Sequence, residues 1–202
     1  MTSLRHNPDN KPTGDDALLD AARAGILAFG WRRTTLTDIA RRAGVSRMTI
    51  YRRWPDMQTL LADLMTREWS GVVEDAALTE GASPLERLAG GITATVAELR
   101  GNELFAKIVE VDPELLLPYL LDRRGRTQDA ILALVEAVIA EGQADGSVRP
   151  GDPRLLARSL MLTAHGFALS TQTMTEEPDH GGPTEADLDS ELRSLVERYL
   201  RP

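Results

Sequence analysis

The residues with most chemistry to offer stand close together. Between Gly30 and Pro55 there are seven Arg and one acid, Asp38. Guanidinium groups at this density on short helices suit phosphate and base edges better than catalysis. The run GWRRTTLTDIARRAGVSRMTIYRRWPDMQTLL, residues 30–61, also has the punctuation such a surface needs. One helix is expected from Thr37 to Ala43, a break at Gly44, and a second helix from Ser46 to Trp54. Ser46 is a natural N-cap, and Gly44 tolerates the positive φ of a tight turn. Ile39 and Ala40 with Val45, Ile50 and Trp54 supply an apolar seam between the two helices. Arg47, Met48, Thr49, Arg52 and Arg53 are left facing outward. A helix, a tight turn and an Arg-rich second helix make a helix-turn-helix, whose second helix enters the major groove of duplex DNA.

The charge of the whole chain hides this patch. The net charge is −8 over 202 residues, yet residues 1–58 hold ten Arg and Lys against six acids, so the remainder carries −12. Such asymmetry implies two jobs in one chain. There is no Cys, which removes disulfides, thiolate metal sites and Cys nucleophiles. No two of His6, His165 and His180 lie within a helical turn, so no metal is expected. The first sixteen residues are polar and lack a signal-peptide core, and the charge-free stretch Ser159 to Thr175 is too short to span a bilayer. The expectation is a soluble cytoplasmic protein with no cofactor.

The elements that must hold the patch are all helical. Residues 16–29 carry Leu18, Ala22, Ile26 and Phe29 on one face, with Asp15 or Asp16 as N-cap and Gly30 as the stop. After Pro55 a helix restarts at Asp56 and runs to about Val73. Leu85, Leu88, Ile92, Val96 and Leu99 make one later stripe; Ile131, Leu134, Val135, Val138 and Ile139 make another on a helix from about Gly125 to Gln143. Short helices over 102–111 and 113–121 are split at Asp112-Pro113, because the residue before proline resists the helical region. GQADGSVRPGDP (142–153) reads as a loop and EEPDHGGP (176–183) as a linker, with helices over 153–172 and 185–200.

The spaced residues Thr35 to Trp54, in the pattern T-L-x-D-I-A-x-x-A-G-V-S-x-x-T-I-Y-x-x-W, resemble the signature of the tetracycline-repressor (TetR) family. The match extends over about residues 16–65. It implies an all-α fold: a disordered arm (1–14), a three-helix DNA-binding domain (15–61), and a helical ligand-binding and dimerisation domain (62–202). The partners it implies are a DNA operator, a second copy of the chain and a small-molecule effector. One position departs from the pattern. Met57 stands where the family often has Lys, and Arg52 and Arg53 are the nearest positive charges.

Roles follow from the exposed positions and from the resemblance together. Arg47 and Met48 sit at the first turn of the second helix and suit base edges, guanine for Arg and a thymine methyl for Met. Thr35, Thr49, Tyr51, Arg52 and Arg53 suit phosphates, which position the protein without specifying sequence, and Ser46, the N-cap, belongs to the same DNA-binding set. By resemblance, Trp69, Phe105, Tyr119, Met161, His165 and Phe167 surround an effector cavity. The balance of −12 in that region favours neutral or cationic ligands over anionic ones. Leu188, Leu192, Leu195, Val196 and Tyr199 form a narrow stripe on the last helix, and Ala157, Ala164, Gly166 and Ala168 on the preceding one permit close approach. A four-helix seam between two copies is expected, with Ala157, Ala164, Leu188, Leu192, Leu195 and Tyr199 in it. The alternatives are a nonspecific DNA-coating protein, which would have no use for the acidic domain, and an all-helical enzyme, for which nucleophile, metal set and phosphate loop are all missing.

Overall fold

A computed structural model describes residues 14–76, 83–176 and 181–202, and among these it contains helices and no strand. The expected arm therefore lies outside the described residues except for Gly14, which begins the first helix. The chain divides into two compact units between Met65 and Thr66.

In the first unit α1 (Gly14–Phe29) leads into α2 (Leu36–Arg42), α3 (Arg47–Arg53) and the start of α4 (Met57–Ala76). Asp15 and Asp16 lie inside the first turn of α1 instead of capping it, where their charge suits the positive end of the helix. Leu18, Ala22 and Ile26 are buried as expected, but Phe29 is 48 % exposed, and the Arg42 guanidinium lies 5.0 Å above its ring. Gly30 stops α1 at φ 80°. Each short helix has a side-chain cap: Thr35 Oγ1 accepts from the Asp38 amide, and Ser46 Oγ from the Thr49 amide. Gly44, at φ 69°, makes the turn between α2 and α3. Ile39, Ala40, Ile50 and Trp54 are buried and Val45 half-buried, the seam expected from the sequence. Leu19, Leu36, Leu60, Leu61, Leu64 and Met65 complete the buried apolar set of this unit.

The second unit contains α5 (Pro84–Gly101), α6 (Glu103–Val111), a 3₁₀ turn (Pro113–Leu115), α7 (Leu117–Leu121), α8 (Arg126–Asp145), α9 (Pro153–Met174) and α10 (Glu185–Leu200). Its core joins Leu88, Ala89 and Val96 of α5, Leu132 and Ile139 of α8, Leu156, Ala157, Leu160 and Ala168 of α9, and Leu192, Val196 and Leu200 of α10. On α8 the buried face is centred one position away from the expected stripe. Leu132 is in the core, while Ile131 and Leu134 are only half-buried. Adjacent apolar residues on a helix fit two faces almost equally, and packing against α5 and α9 chooses between them. The loop expected over 142–153 is shorter, because α8 continues to Asp145 and α9 begins at Pro153; within it the Val148 amide donates to the Gly142 carbonyl at 2.8 Å, and the Arg149 amide to the Leu200 carbonyl at 2.7 Å. No helix among the described residues is long and apolar enough to cross a membrane.

Candidate nucleic-acid interface

Helix α3 is seven residues long, too short to be stable alone, so its position depends on its cap and on Ile50. Ser46 Oγ lies 3.1 Å from the Thr49 amide that it caps and 2.9 Å from the Thr49 hydroxyl. With Ile50 and Trp54 buried, the outer face of α3 presents Arg47, Met48, Tyr51, Arg52 and Arg53. Met48 is 80 % exposed, an unusual setting for a thioether and one suited to contact with another molecule. Trp54 also ties the end of α3 to α4, since its Nε1 donates to Asp63 Oδ2 in the second turn of α4 at 2.8 Å.

The arginines of α3 are not equivalent. Arg53 Nε donates to Asp15 Oδ2 at 2.8 Å, and its guanidinium lies 5.5 Å from the Trp54 ring. Arg47 and Arg52 make no ion pair or hydrogen bond among the described residues. They are therefore available to an outside anion without first breaking a contact. Thr35 is exposed, but its hydroxyl is engaged: it donates to Asp38 Oδ2 at 2.6 Å and accepts from the Asp38 amide. That hydroxyl, and then the Arg41 guanidinium, hold the Asp38 carboxyl below its usual range. Thr49 is half-buried and shares its hydroxyl with Ser46. Between α1 and α2, Arg33, Arg41 and Arg42, with Phe29, Thr34, Asp38 and Gly25, line a cleft of about 160 Å³. These arginines entered the sequence reading only as charge, because their convergence depends on how α1 and α2 pack.

The six candidate effector residues fall into groups. Trp69 meets Phe105 edge to face, with ring centroids 6.2 Å apart and planes at 73°. Tyr119 and His165 are joined through Gln128, whose Nε2 lies 3.3 Å from the Tyr119 carbonyl and 3.4 Å from His165 Nε2. Nothing in the sequence marked Gln128, which also closes a capping interaction with the Gly125 amide. Burial keeps the His165 imidazole below its ordinary value, hence neutral near pH 7. Met161 and Phe167 pack against the core. No group of three His, Cys, Asp or Glu that could hold a metal occurs among the described residues.

The expected seam residues divide as well. Ala157 and Leu192 are buried in the core of their own protomer and offer no surface to a second copy. Ala164 packs against that core, and Leu188 is half-buried. Leu195 and Tyr199 are exposed, the latter under the Arg149 guanidinium at 4.6 Å. On α9 the exposed apolar positions are Leu155, Leu162 and Met174, with Gly166 one turn after Leu162 and open space where a Cβ would stand on it. The amphipathic pattern alone missed these because a helix packed on one side and open on the other carries two apolar stripes.

Residues 18–64 match the family of bacterial regulatory proteins known as the tetR family. Over 197 residues the chain is 34 % identical to an uncharacterized HTH-type transcriptional regulator of Mycobacterium bovis, which spans 98 % of this chain and 99 % of that one. The chain belongs to the TetR family of transcriptional regulators. The regulator also shares its fold with a TetR transcription regulator from Haloarcula marismortui (TM-score 0.68, 17 % identity, 94 % of this chain and 98 % of that one). A further neighbour is the transcriptional regulator FadR from Bacillus subtilis in complex with stearoyl-CoA (TM-score 0.64, 19 % identity, 92 % and 98 %). The work of this family is transcriptional regulation and not catalysis.

Proposed function

We propose that the regulator is a dimeric repressor that binds a palindromic operator through α3 and is released by a small molecule held in its helical domain. The observation that carries the DNA-binding reading is the pair Arg47 and Arg52, unpaired on the solvent face of a capped helix whose other side is buried. In this reading Arg47 and Met48 touch base edges, while Ser46, Thr49, Tyr51, Arg52 and secondarily Thr35 and Arg53 lie along phosphates. Residues 15–61 are the DNA-binding part and 62–202 the effector and dimer part. The exposed stripes Leu155, Leu162 and Gly166 of α9 and Leu195 and Tyr199 of α10 form the seam, Leu188 and Ala164 lie beside it, and Ala157 and Leu192 support it from within. A largely apolar effector is consistent with the aromatic pair Trp69 and Phe105 and with a protein of this fold seen with stearoyl-CoA. Footprinting on fragments that carry the regulator's own gene neighbourhood tests the reading. Paired protection about one helical turn apart, or a multiple of it, is expected. Protection that is asymmetric, or equal on random duplex at matched salt, removes it.

A further inference from the structure

Two buried side-chain nitrogens lack a hydrogen-bond partner among the described residues: Trp69 Nε1 and Arg100 Nε. Both are donors, and both belong to the second unit. A buried N–H without an acceptor is costly and rare, so each one asks for a reason. Arg100, in the last turn of α5, is tied at its tip. Its Nη2 donates to both carboxylate oxygens of Asp189 at 2.7 and 2.8 Å, Nη1 lies 3.4 Å from Thr171 Oγ1, and the side chain is only 10 % exposed. The charge is therefore balanced while Nε stays unused. Trp69 lies across the edge of Phe105, one turn into α6 and just beyond the α5–α6 junction at Asn102. The Leu104 and Phe105 amides at that helix start are already capped by Asn102 Oδ1, each at 3.0 Å. They do not compete with Trp69 for an incoming acceptor.

We propose that the effector is an apolar molecule carrying a carbonyl-type oxygen, and that Trp69 Nε1 donates to that oxygen beside the Phe105 ring. This deepens the proposed effector site and rests on that reading. Apolar area alone would bring the ligand to the aromatic pair, whereas the unsatisfied indole selects among apolar molecules for one that brings an acceptor. A ligand without one leaves the N–H unpaired and forgoes most of the discrimination. With the Arg100 charge already matched by Asp189, a neutral ester or thioester carbonyl suffices, and an ionised carboxylate is the other source of the same oxygen.

Three probes of similar length separate these cases: methyl decanoate, decanoate and decane. The readout is the indole N–H resonances of the full-length protein by ¹⁵N-edited NMR, with the Trp69 signal assigned from Trp69→Phe. Methyl decanoate, decanoate or both should shift the Trp69 indole proton downfield, and decane should not. The carbonyl probe should bind about tenfold tighter than decane, a preference that falls to near unity in Trp69→Phe. Phe105→Leu, which keeps the indole, should weaken all probes while keeping that preference. Equal shifts with decane, or a preference that survives Trp69→Phe, overturns the assignment. Operator titration with the same probes keeps the two readings apart. An acceptor-free compound that releases DNA with the Trp69 signal unmoved defeats this inference alone, whereas Trp69 engagement without any effect on operator affinity defeats the effector reading.

Discussion

Three arginines on one seven-residue helix should respond to truncation in three different ways. Arg47 is exposed and unpaired in the first turn of α3. If it bonds a base, Arg47→Ala costs about 1–3 kcal/mol per half-site, roughly 5- to 150-fold, and relaxes preference at one base position. Arg52 is equally unpaired. As a phosphate contact its removal weakens all sequences alike and lowers the slope of log K against log salt by roughly 0.9 per phosphate, or about 1.8 for the two half-sites of a dimer. Arg53 begins from a different state, because it must give up Asp15 and its stacking on Trp54 to reach DNA. The Asp15 pair is itself exposed (55 % and 44 %) and worth roughly 0–1 kcal/mol, so this competition discounts Arg53 without silencing it. Arg53→Ala should therefore change the salt slope less than Arg52→Ala, and Asp15→Asn should steepen it in the otherwise intact protein. The assay is fluorescence anisotropy with a labelled operator and a panel of single-base variants, from about 50 to 200 mM salt. The reasoning is refuted if Arg47→Ala weakens every variant equally, or if Arg53→Ala flattens the salt slope more than Arg52→Ala does.

Ser46→Ala removes the cap of α3 and should cost about 0.5–2 kcal/mol, seen as a lower urea midpoint. Ser46→Asp keeps a cap acceptor but sets a negative charge toward phosphate, so it should hold stability and lose operator affinity; equal affinity for both variants would place the DNA elsewhere. Leu162→Glu, at a position 72 % exposed, should leave the melt nearly unchanged and yield a monomer by sedimentation, and a stable dimer would move the seam. Deleting α10 is a poorer test of the same seam, because it also strips Leu192, Val196 and Leu200 from the core and should unfold the second unit. His165, held below its ordinary value of 6.5 by burial, takes up its proton later in the folded protein than in the unfolded chain. Its contribution is thus intact above about pH 6.5 and lost as pH falls toward the folded value. His165→Gln should flatten the decline in denaturant midpoint between pH 7 and 5, and an unchanged decline would assign it to other groups.

Much of the first unit was legible from residues alone, because local chemistry decides it. Ser46 caps the helix it precedes, Gly30 and Gly44 take the positive φ that ends or turns a helix, and Ile39, Ala40, Ile50 and Trp54 are spaced to form one seam. Each of these rests on contacts within a few residues, where spacing and side-chain type leave few alternatives. The second unit was legible as helices but not as faces. Apolar residues on α8, α9 and α10 fit more than one stripe, and only packing against α5 assigned Leu132, Ala157 and Leu192 inward and left Leu155, Leu162 and Leu195 outside. The same holds for partners distant in sequence. The Asp15 that occupies Arg53, the Asp189 that balances Arg100 and the Gln128 that reaches His165 lie 38, 89 and 37 positions away from the residues they engage. Composition and period carry no record of such pairs, since these depend on how helices settle against one another once their apolar area leaves water.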